Sequence, residues 1–360
     1  MNYKLILLME KGKQLSSPLL SPALKTYRKL LSKKFVAPES QRKAEVFIKR
    51  RVDKGLNNIS MLREVAGFDL RDKTILELGT GGHGIDLLIF YALGGQACYT
   101  VDVRCQLDTS MLRSLPVIEN RLQEFMDYFG IDMDEVYGRL EKLKSLETLE
   151  EILATMQVTF IRFSDFAQQA PGDEAIDLLY SESNLQRIPK RRIAALLDSV
   201  KPTLRRDACG FYRIDCRDIH IQRNRKIHDP NLWRLEYLKF SDWMWRLMTT
   251  EKFGSQNRLR ACQFIELSER MVDCRLQYME TYTYAGDNER VAQLPLAAPF
   301  RGLPAEDVAV SHARMIVRRQ LAEHATAYVK PFAVIGDGVC YPPPVWNAEQ
   351  GLLVGEGLDD

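Results

Sequence analysis

The clearest chemistry in the sequence lies in a glycine-rich string that runs from Glu77 to Gly84 and reads ELGTGGHG. It stands where a predicted strand ends and a predicted helix begins. Glycines suit such a place because the backbone must turn sharply and approach a ligand closely. Asp102 follows Gly79 by 23 residues, at the end of the next predicted strand, where a carboxylate accepts hydrogen bonds from a ribose diol. This spacing fits NAD and S-adenosylmethionine equally, and a glycine turn without any cofactor remains an alternative.

Two further features favour S-adenosylmethionine. Glu77 precedes the first glycine by two residues, so its carboxylate offsets the ammonium of a methionine moiety and repels an NAD pyrophosphate. Asp165 follows the third predicted strand, where it offers an acceptor to an adenine amino group beside the apolar ring of Phe166; the alternative is that Asp165 caps a helix. The predicted cofactor residues are Glu77, Gly79, Thr80, Gly81, Asp102, Val103, Asp165, Phe166 and Ser181.

Candidates for a general base follow the fifth predicted strand. Methyl transfer to a hydroxyl oxygen requires removal of its proton, and the carboxyl ends of parallel strands face the ligand crevice. His220 has a suitable intrinsic pKa, and Asp218 orients it or acts itself. The alternatives are a histidine bonded on a loop and a surface ion pair of Asp218 with Arg217 or Arg223. No pair of histidines or carboxylates shows metal-ligand spacing, so we expect no metal site.

Aromatic and basic side chains alternate over residues 220–260, where nine lysines and arginines face four acids, a net charge of +5. We interpret this segment as a cap that offers aromatic faces to the acceptor and arginines to a carboxylate or phosphate. The alternative is a helix that buries its aromatic face. Such a pattern also suits RNA, but the rest of the chain is acidic and nucleic acid is not the expected partner. The predicted substrate-binding residues are Tyr180, Glu182, Trp233 and Trp243.

The elements that must position these residues alternate between strand and helix, which predicts a parallel sheet. Helices are predicted at 84–93, throughout 107–156, at 189–200 and at 261–270, and the stretches 274–284 and 313–318 are expected to pair as an antiparallel hairpin at the sheet edge. The five predicted parallel strands are 74–78, 97–101, 158–163, 175–181 and 210–215.

Composition and charge describe an ordinary globular protein. The chain has 360 residues, 46% of them apolar and 27% charged, and no apolar run approaches the roughly 20 residues of a membrane span. The seven cysteines are odd in number and scattered, which favours reduced thiols and a cytoplasmic protein. Residues 1–51 carry a net charge of +10 and predict a basic amphipathic helix after Ser21. This helix is either a lid on the following domain or a contact with an anionic membrane surface or an acidic substrate.

The ordered motifs ILELGTGGHG, YTVD, FSDF and IDLLYSESNLQRIP resemble class I S-adenosylmethionine-dependent methyltransferases over about residues 70–320. Gln186 and Arg187 stand where that family often has Glu-His, and His83 replaces the commonest third glycine. The resemblance implies an α/β, Rossmann-like seven-stranded sheet with helices on both faces and an antiparallel last strand. More narrowly, LKFSDWMWR and NRLRACQF are similar to a bacterial subgroup associated in part with glycan or secondary-metabolite synthesis.

From these patterns we expect one methyltransferase domain that methylates a small molecule or glycan at a hydroxyl oxygen. The alternatives are N-methylation of an amine or peptide, a non-catalytic protein that keeps the fold, and an NAD-dependent oxidoreductase. The sequence leaves the oligomeric state open. The predicted division is a helical lid at 1–70, a cofactor-binding core at 71–219, a cap at 220–260, the end of the core with its hairpin at 261–330, and an irregular tail at 331–360.

Overall fold

The computed structural model describes residues 38–218, 233–248, 256–319, 328–334, 345–347 and 352–354. Side chains are described within 44–218, 233–246 and 256–319. The predicted helix after Ser21 and the candidate base His220 therefore lie outside the described residues. No helix in the described ranges is long and apolar enough to cross a membrane.

An eight-stranded sheet forms the centre of the protein, in the order β3-β2-β1-β4-β5-β7-β6-β8. Strands β1 to β5 are parallel, and β7 runs antiparallel between β5 and β6. The first seven positions confirm the predicted α/β, Rossmann-like class I methyltransferase fold with its antiparallel last strand. The strands are β1 (Thr74–Leu78), β2 (Ala97–Asp102), β3 (Val158–Arg162), β4 (Ile176–Glu182), β5 (Leu204–Asp215), β6 (Cys274–Tyr284), β7 (His312–Arg319) and β8 (Tyr328–Val334).

Helices cover both faces of the sheet. One apolar cluster packs α1, α2, α3 and α5 on one face, and a second packs α8 and α10 on the other. Strand β4 is buried along its whole length, as a central strand covered on both faces must be. The helices are α1 (Pro38–Ala66), α2 (Ile85–Ala92), α3 (Leu115–Glu124), α4 (Met126–Phe129), α5 (Met133–Lys144), α6 (Leu149–Thr155), α7 (Phe166–Gln169), α8 (Lys190–Val200), α9 (Asp242–Met248), α10 (Ala261–Val272), α11 (Asp287–Ala292) and α12 (Ala305–Ala309).

Three sequence predictions need correction. The segment 107–156 is a series of separate helices, because Gly130 adopts a left-handed φ of 57° that ends one of them. The hairpin of β6 and β7 forms, but β7 lies inside the sheet and β8 pairs with β6, so the hairpin is not at the edge. Strand β8 extends into the tail that was predicted to be irregular, and Pro331 fits there because an edge strand tolerates a missing backbone donor.

Helix α1 crosses one face of the sheet from end to end. Near its last turn, Gln277 on β6 donates a hydrogen bond to the carbonyl of Val65 at 3.0 Å, and Arg318 on β7 donates to the carbonyl of Ala66. Twelve residues earlier, Lys54 forms an ion pair with Glu182 at the carboxyl end of β4. Along the chain, the helix therefore passes the carboxyl ends of the parallel strands first and ends where β6 begins and β7 ends.

Arg260, just before α10, joins separate segments at the carboxyl end of β5. Its side chain is fully buried and donates to the carbonyl of Cys216 at 2.9 Å and to that of Val308 at 2.7 Å. It also donates to the carbonyl of Val310 and to the hydroxyl of Tyr237. The sequence prediction gave the arginines of 220–260 to a ligand, but Arg260 is bound to the protein's own carbonyls and has a structural role.

We expect Arg260→Met to lower the free energy of unfolding by at least about 3 kcal/mol, because each buried acceptor that loses its donor costs about 1–3 kcal/mol. Urea unfolding would measure the change. Arg270→Met is the matched control, since Arg270 lies on α10, the helix that Arg260 precedes, and has an exposed side chain. Its loss should change stability by less than about 0.5 kcal/mol. Equal urea midpoints for the two variants would contradict the structural role of Arg260.

Candidate functional site

The glycine turn connects β1 to α2 with three left-handed glycines, Gly79, Gly81 and Gly84, at φ values of 98°, 65° and 57°. The amide of Gly79 donates to the carbonyl of Val101 on β2 at 2.8 Å, which holds the turn against the neighbouring strand. A Cβ atom added at Gly79 would lie 2.1 Å from the Asn184 side chain, whereas one at Gly81 would meet nothing within 4 Å. The turn is therefore packed at its start and open at its middle.

Asp102 lies directly beside this turn, as the spacing predicts. One carboxylate oxygen accepts the amide of Gly81 at 3.2 Å, and the other accepts the amide of Val103 at 2.6 Å. The side chain is half-buried, and Val103 is 76% exposed. The carboxylate is thus fixed at the open part of the turn, where further lone pairs can accept hydrogen bonds from a ligand.

Glu77 lies deeper than the sequence indicated. It is 2% exposed and accepts a hydrogen bond from the hydroxyl of Thr100 at 2.7 Å, while Thr80 bonds to the same Thr100 hydroxyl. Burial, with the nearby charge of Asp86, raises the pKa of Glu77 to about 8. Burial likewise raises the pKa of Asp86 to about 6, although Arg51 lowers it. The floor behind the turn therefore holds one buried acid, Glu77, and one half-buried acid, Asp86, and a cation would stabilise both in their ionised forms.

The predicted acceptor residues Tyr180 and Glu182 lie beneath α1. Asn58 on that helix donates to the hydroxyl of Tyr180 and to the carboxylate of Glu182, both at 2.8 Å. Glu182 also accepts a hydrogen bond from Arg213 on β5 at 3.1 Å and pairs with Lys54. Both predicted residues thus belong to a polar layer between the sheet and α1.

The structure also places the predicted residues that follow β3 and β4. Asp165 is half-buried, accepts a hydrogen bond from Ser164 at 2.7 Å and makes no side-chain cap bond to α7, so the capping alternative does not hold. Phe166 is 1% exposed and packs in the second apolar cluster. Ser181 is fully buried and donates to the carbonyl of Leu78 at 3.1 Å, which joins β4 to β1.

Charged groups also meet at the carboxyl end of β5. Arg217 donates to both carboxylate oxygens of Asp215, at 3.1 and 3.0 Å, and His312 lies 3.6 Å from the same carboxylate. Burial would raise the pKa of Asp215, but His312 and Arg217 hold it well below its usual range. Asp218 is fully buried, so the alternative of a surface ion pair is wrong for it. Its amide donates to the carbonyl of Arg234 at 2.9 Å.

Sequence reasoning missed His312, which directly precedes the stretch 313–318 that it expected at the sheet edge. Because β7 inserts between β5 and β6, His312 pairs with Asp215 on one side and with Tyr282 on the other. The signal was present: an antiparallel last strand that starts near Ala313 must bring its first residues to the carboxyl end of β5.

The two predicted tryptophans occupy different environments. Trp233 lies outside the helices, is 3% exposed and donates to Asp287 at 2.8 Å, with the Arg290 guanidinium 4.8 Å from its ring. Trp243 on α9 is 69% exposed and offers its ring to the surface. Within the described ranges, no group of three or more histidine, cysteine, aspartate or glutamate side chains could hold a metal ion.

No family model matches the sequence, and no curated protein matches it. Solved structures match the fold at low similarity. An S-adenosylmethionine dependent methyltransferase from Mesorhizobium loti is 13% identical with a TM-score of 0.37, and the alignment covers 72% of this chain and 98% of that one. An arsenic (III) S-adenosylmethionine methyltransferase from Chlamydomonas reinhardtii is also 13% identical, with a TM-score of 0.34 and coverage of 72% and 67%.

A SAM dependent methyltransferase from Aquifex aeolicus is 10% identical with a TM-score of 0.33, and the alignment covers 76% of this chain and 98% of that one. Likenesses this distant carry no argument about activity or ligand. What the site can do therefore follows from its own geometry: an open glycine turn, a fixed carboxylate beside it, and the acids Glu77 and Asp86 behind it.

Proposed function

We propose that this chain is an S-adenosylmethionine-dependent methyltransferase that acts on a small molecule or glycan at a hydroxyl oxygen. The observation that carries the proposal is a pair of acids behind a glycine turn that is open at Gly81: Glu77, which is buried, and Asp86, which is half-buried. Such a floor attracts the positive methionine end of this cofactor and opposes the negative pyrophosphate of NAD. The residues present therefore fit S-adenosylmethionine better than NAD.

The cofactor residues have distinct roles in this proposal. The backbone of Gly79, Thr80 and Gly81 admits the ligand, and Asp102 accepts hydrogen bonds from the ribose diol. Asp165 receives the adenine amino group, while Val103 and Phe166 supply apolar contacts and Ser181 holds β4 to β1. When bound, S-adenosylmethionine supplies a methyl group already activated by its sulfonium. The protein then has to orient the acceptor and exclude water.

On the acceptor side, polar groups at the carboxyl ends of β4 and β5 support a polar acceptor. Glu182 with Arg213, and Asp215 with Arg217, present charge-assisted hydrogen-bonding groups there. Tyr180, Trp233 and Trp243 remain predictions as acceptor contacts. We assign removal of the hydroxyl proton to His220 with Asp218 as the group that orients it.

N-methylation of an amine or peptide is the second candidate, favoured by the carboxylates of Glu182 and Asp215, which would bind an amine in its ammonium form. The ammonium loses its proton to water before the nitrogen attacks the methyl group. His220→Asn would separate the two reactions. An enzyme that methylates oxygen and relies on this base should lose kcat by a factor of 10² or more, whereas N-methylation should proceed nearly unchanged. A protein that binds the cofactor but turns over no acceptor would be a binding protein that keeps the fold.

The first experiment is calorimetric titration of the full chain with S-adenosylmethionine, S-adenosylhomocysteine and NADH. We expect micromolar binding of the first two and about thirtyfold weaker binding by Asp102→Ala, because two hydrogen bonds to a charged group contribute about 1 kcal/mol each or more. Asp102→Asn keeps one acceptor oxygen and should lose less. Binding of NADH alone would contradict the proposal.

A further inference from the structure

The first described turns of α1 form an exposed surface beside the glycine turn. Residues 44–47 are all exposed, as are Lys49 and Arg50, so the side chains at this end of the helix are largely open to solvent. We name Val46, Phe47, Lys49 and Arg50 the basic ledge. Val46 and Phe47 are each 42% exposed, and both belong to the five large apolar side chains that the described residues leave exposed.

The basic ledge adjoins the mouth of the candidate site. The ring of Phe47 packs edge-on against His83 of the glycine turn, with ring centroids 4.8 Å apart. Arg51, one residue further along the helix, is close enough that its charge, second to burial, lowers the pKa of His83. Val103 and Arg104, which follow the carboxyl end of β2 beside the glycine turn, are also exposed. Apolar and basic groups therefore occur together where the site opens.

We propose that the basic ledge docks this protein on an anionic lipid surface. Exposed apolar side chains flanked by lysine and arginine are the combination that such a surface binds, because the apolar groups enter the acyl boundary while the charges meet the headgroups. Residues 38–51 carry five basic and two acidic side chains, a net charge of +3. An anionic bilayer complements both properties at once.

Like charge disfavours two other occupants of the basic ledge, the residues that precede α1 and a second copy of the chain. The 37 residues that precede α1 carry eight lysines and arginines and one acid, a net charge of +7, so they repel the ledge. A second copy of the chain would bring two identical basic surfaces together in a twofold contact, which like charges oppose. RNA offers complementary charge, but Phe47 is the one aromatic ring of the ledge and already packs against His83, and the aliphatic side chain of Val46 gives no further stacking surface to a base. An anionic lipid surface complements both the apolar and the basic side chains of the ledge.

The test is co-sedimentation of the full chain with vesicles of phosphatidylcholine, alone or with 30% phosphatidylserine, in 0.1 and 0.5 M NaCl. We expect the wild type to bind the serine-containing vesicles at least tenfold more tightly than the neutral ones and to be released by the higher salt. Lys49→Gln with Arg50→Gln should weaken binding about 25-fold, fivefold for each charge. Phe47→Ser should weaken it about tenfold.

Two matched controls keep the assignment specific. Tyr137→Ser removes another aromatic ring of similar exposure, 41%, and Lys190→Gln with Arg191→Gln removes another exposed basic pair. Both should bind vesicles like the wild type. Failure of the wild type to bind, or ledge variants that bind as well as these controls, would overturn the proposal. Tighter binding of poly(U) than of vesicles would overturn it in favour of nucleic acid. None of these outcomes depends on methyl transfer.

Discussion

Gly79→Ala is expected to weaken S-adenosylhomocysteine binding at least a hundredfold, equivalent to about 2.7 kcal/mol. At φ 98° a side chain is strained, at a cost of about 1–3 kcal/mol. The added Cβ would also stand 2.1 Å from the Asn184 side chain and 2.4 Å from its Cβ, so the turn or the end of β4 must move. Isothermal calorimetry on the purified variant measures the loss.

Gly82→Ala is the control for that substitution. Gly82 does not have a positive φ, and a Cβ there would meet its nearest atom, the carbonyl oxygen of Gln106, at 3.6 Å, an ordinary contact. We expect its affinity to stay within about threefold of the wild type. Equal affinities for the two variants would show that the backbone at Gly79 does not shape the ligand site.

The second large effect is the pH dependence of cofactor binding. Glu77, with its pKa raised to about 8, is mostly protonated at pH 7, and a cationic ligand must displace that proton to gain its charge. As the pH increases toward 8, the affinity for S-adenosylmethionine should therefore increase about tenfold per pH unit, and above pH 8 it should stay constant. Glu77→Gln should abolish the slope and bind weakly throughout. Calorimetry from pH 6 to 9 measures both.

Glu77→Gln should increase the stability of the protein at high pH, although it weakens cofactor binding. An acid whose folded pKa is about 8 and whose unfolded pKa is near 4.5 holds its proton longer in the native state, so the free energy of unfolding falls as pH rises between those values. Glu77→Gln removes that fall and should be the more stable protein at pH 9, by up to about 5 kcal/mol. The amide oxygen can still accept the hydrogen bond from Thr100.

Asp86→Asn is the control, because the Asp86 pKa of about 6 places its own titration at lower pH. That variant should keep the rise in affinity but show it at a lower pH than the wild type, because the charge of Asp86 contributes to the raised pKa of Glu77. If it lost the rise and Glu77→Gln kept it, the linked proton would belong to Asp86 instead.

Local sequence patterns predicted the parallel strands and the helices between them, because these strands are apolar runs bounded by turns. The limits of β1 agree with the structure, and the glycine turn with Asp102 could be predicted from spacing alone, since both follow strands that are adjacent in the sheet. The depth of Glu77 could not, because it depends on Thr100 and Asp86, which reach it from β2 and α2. A single segment does not contain that information.

The same limit explains the other differences. His312 meets Asp215 only because of the order in which β5, β7 and β6 pair, and Glu182 meets Lys54 and Asn58 only because α1 lies across the sheet. Arg260 looks like a ligand-binding arginine in the sequence, yet its partners are carbonyls from residues 216, 308 and 310. Basic residues in an aromatic segment do not show which partner they face.

Helix α1 is held at Val65 and Ala66 by Gln277 and Arg318, far from the end that carries the basic ledge. From Phe47 to Ala66 is 19 residues, about 28 Å at 1.5 Å per residue. The helix is also fixed along its length, because Lys54 pairs with Glu182, Asn58 donates to Tyr180 and Glu182, and Val52 and Leu56 are buried in the core. The basic ledge therefore stands at a fixed position beside the glycine turn, where Phe47 contacts His83.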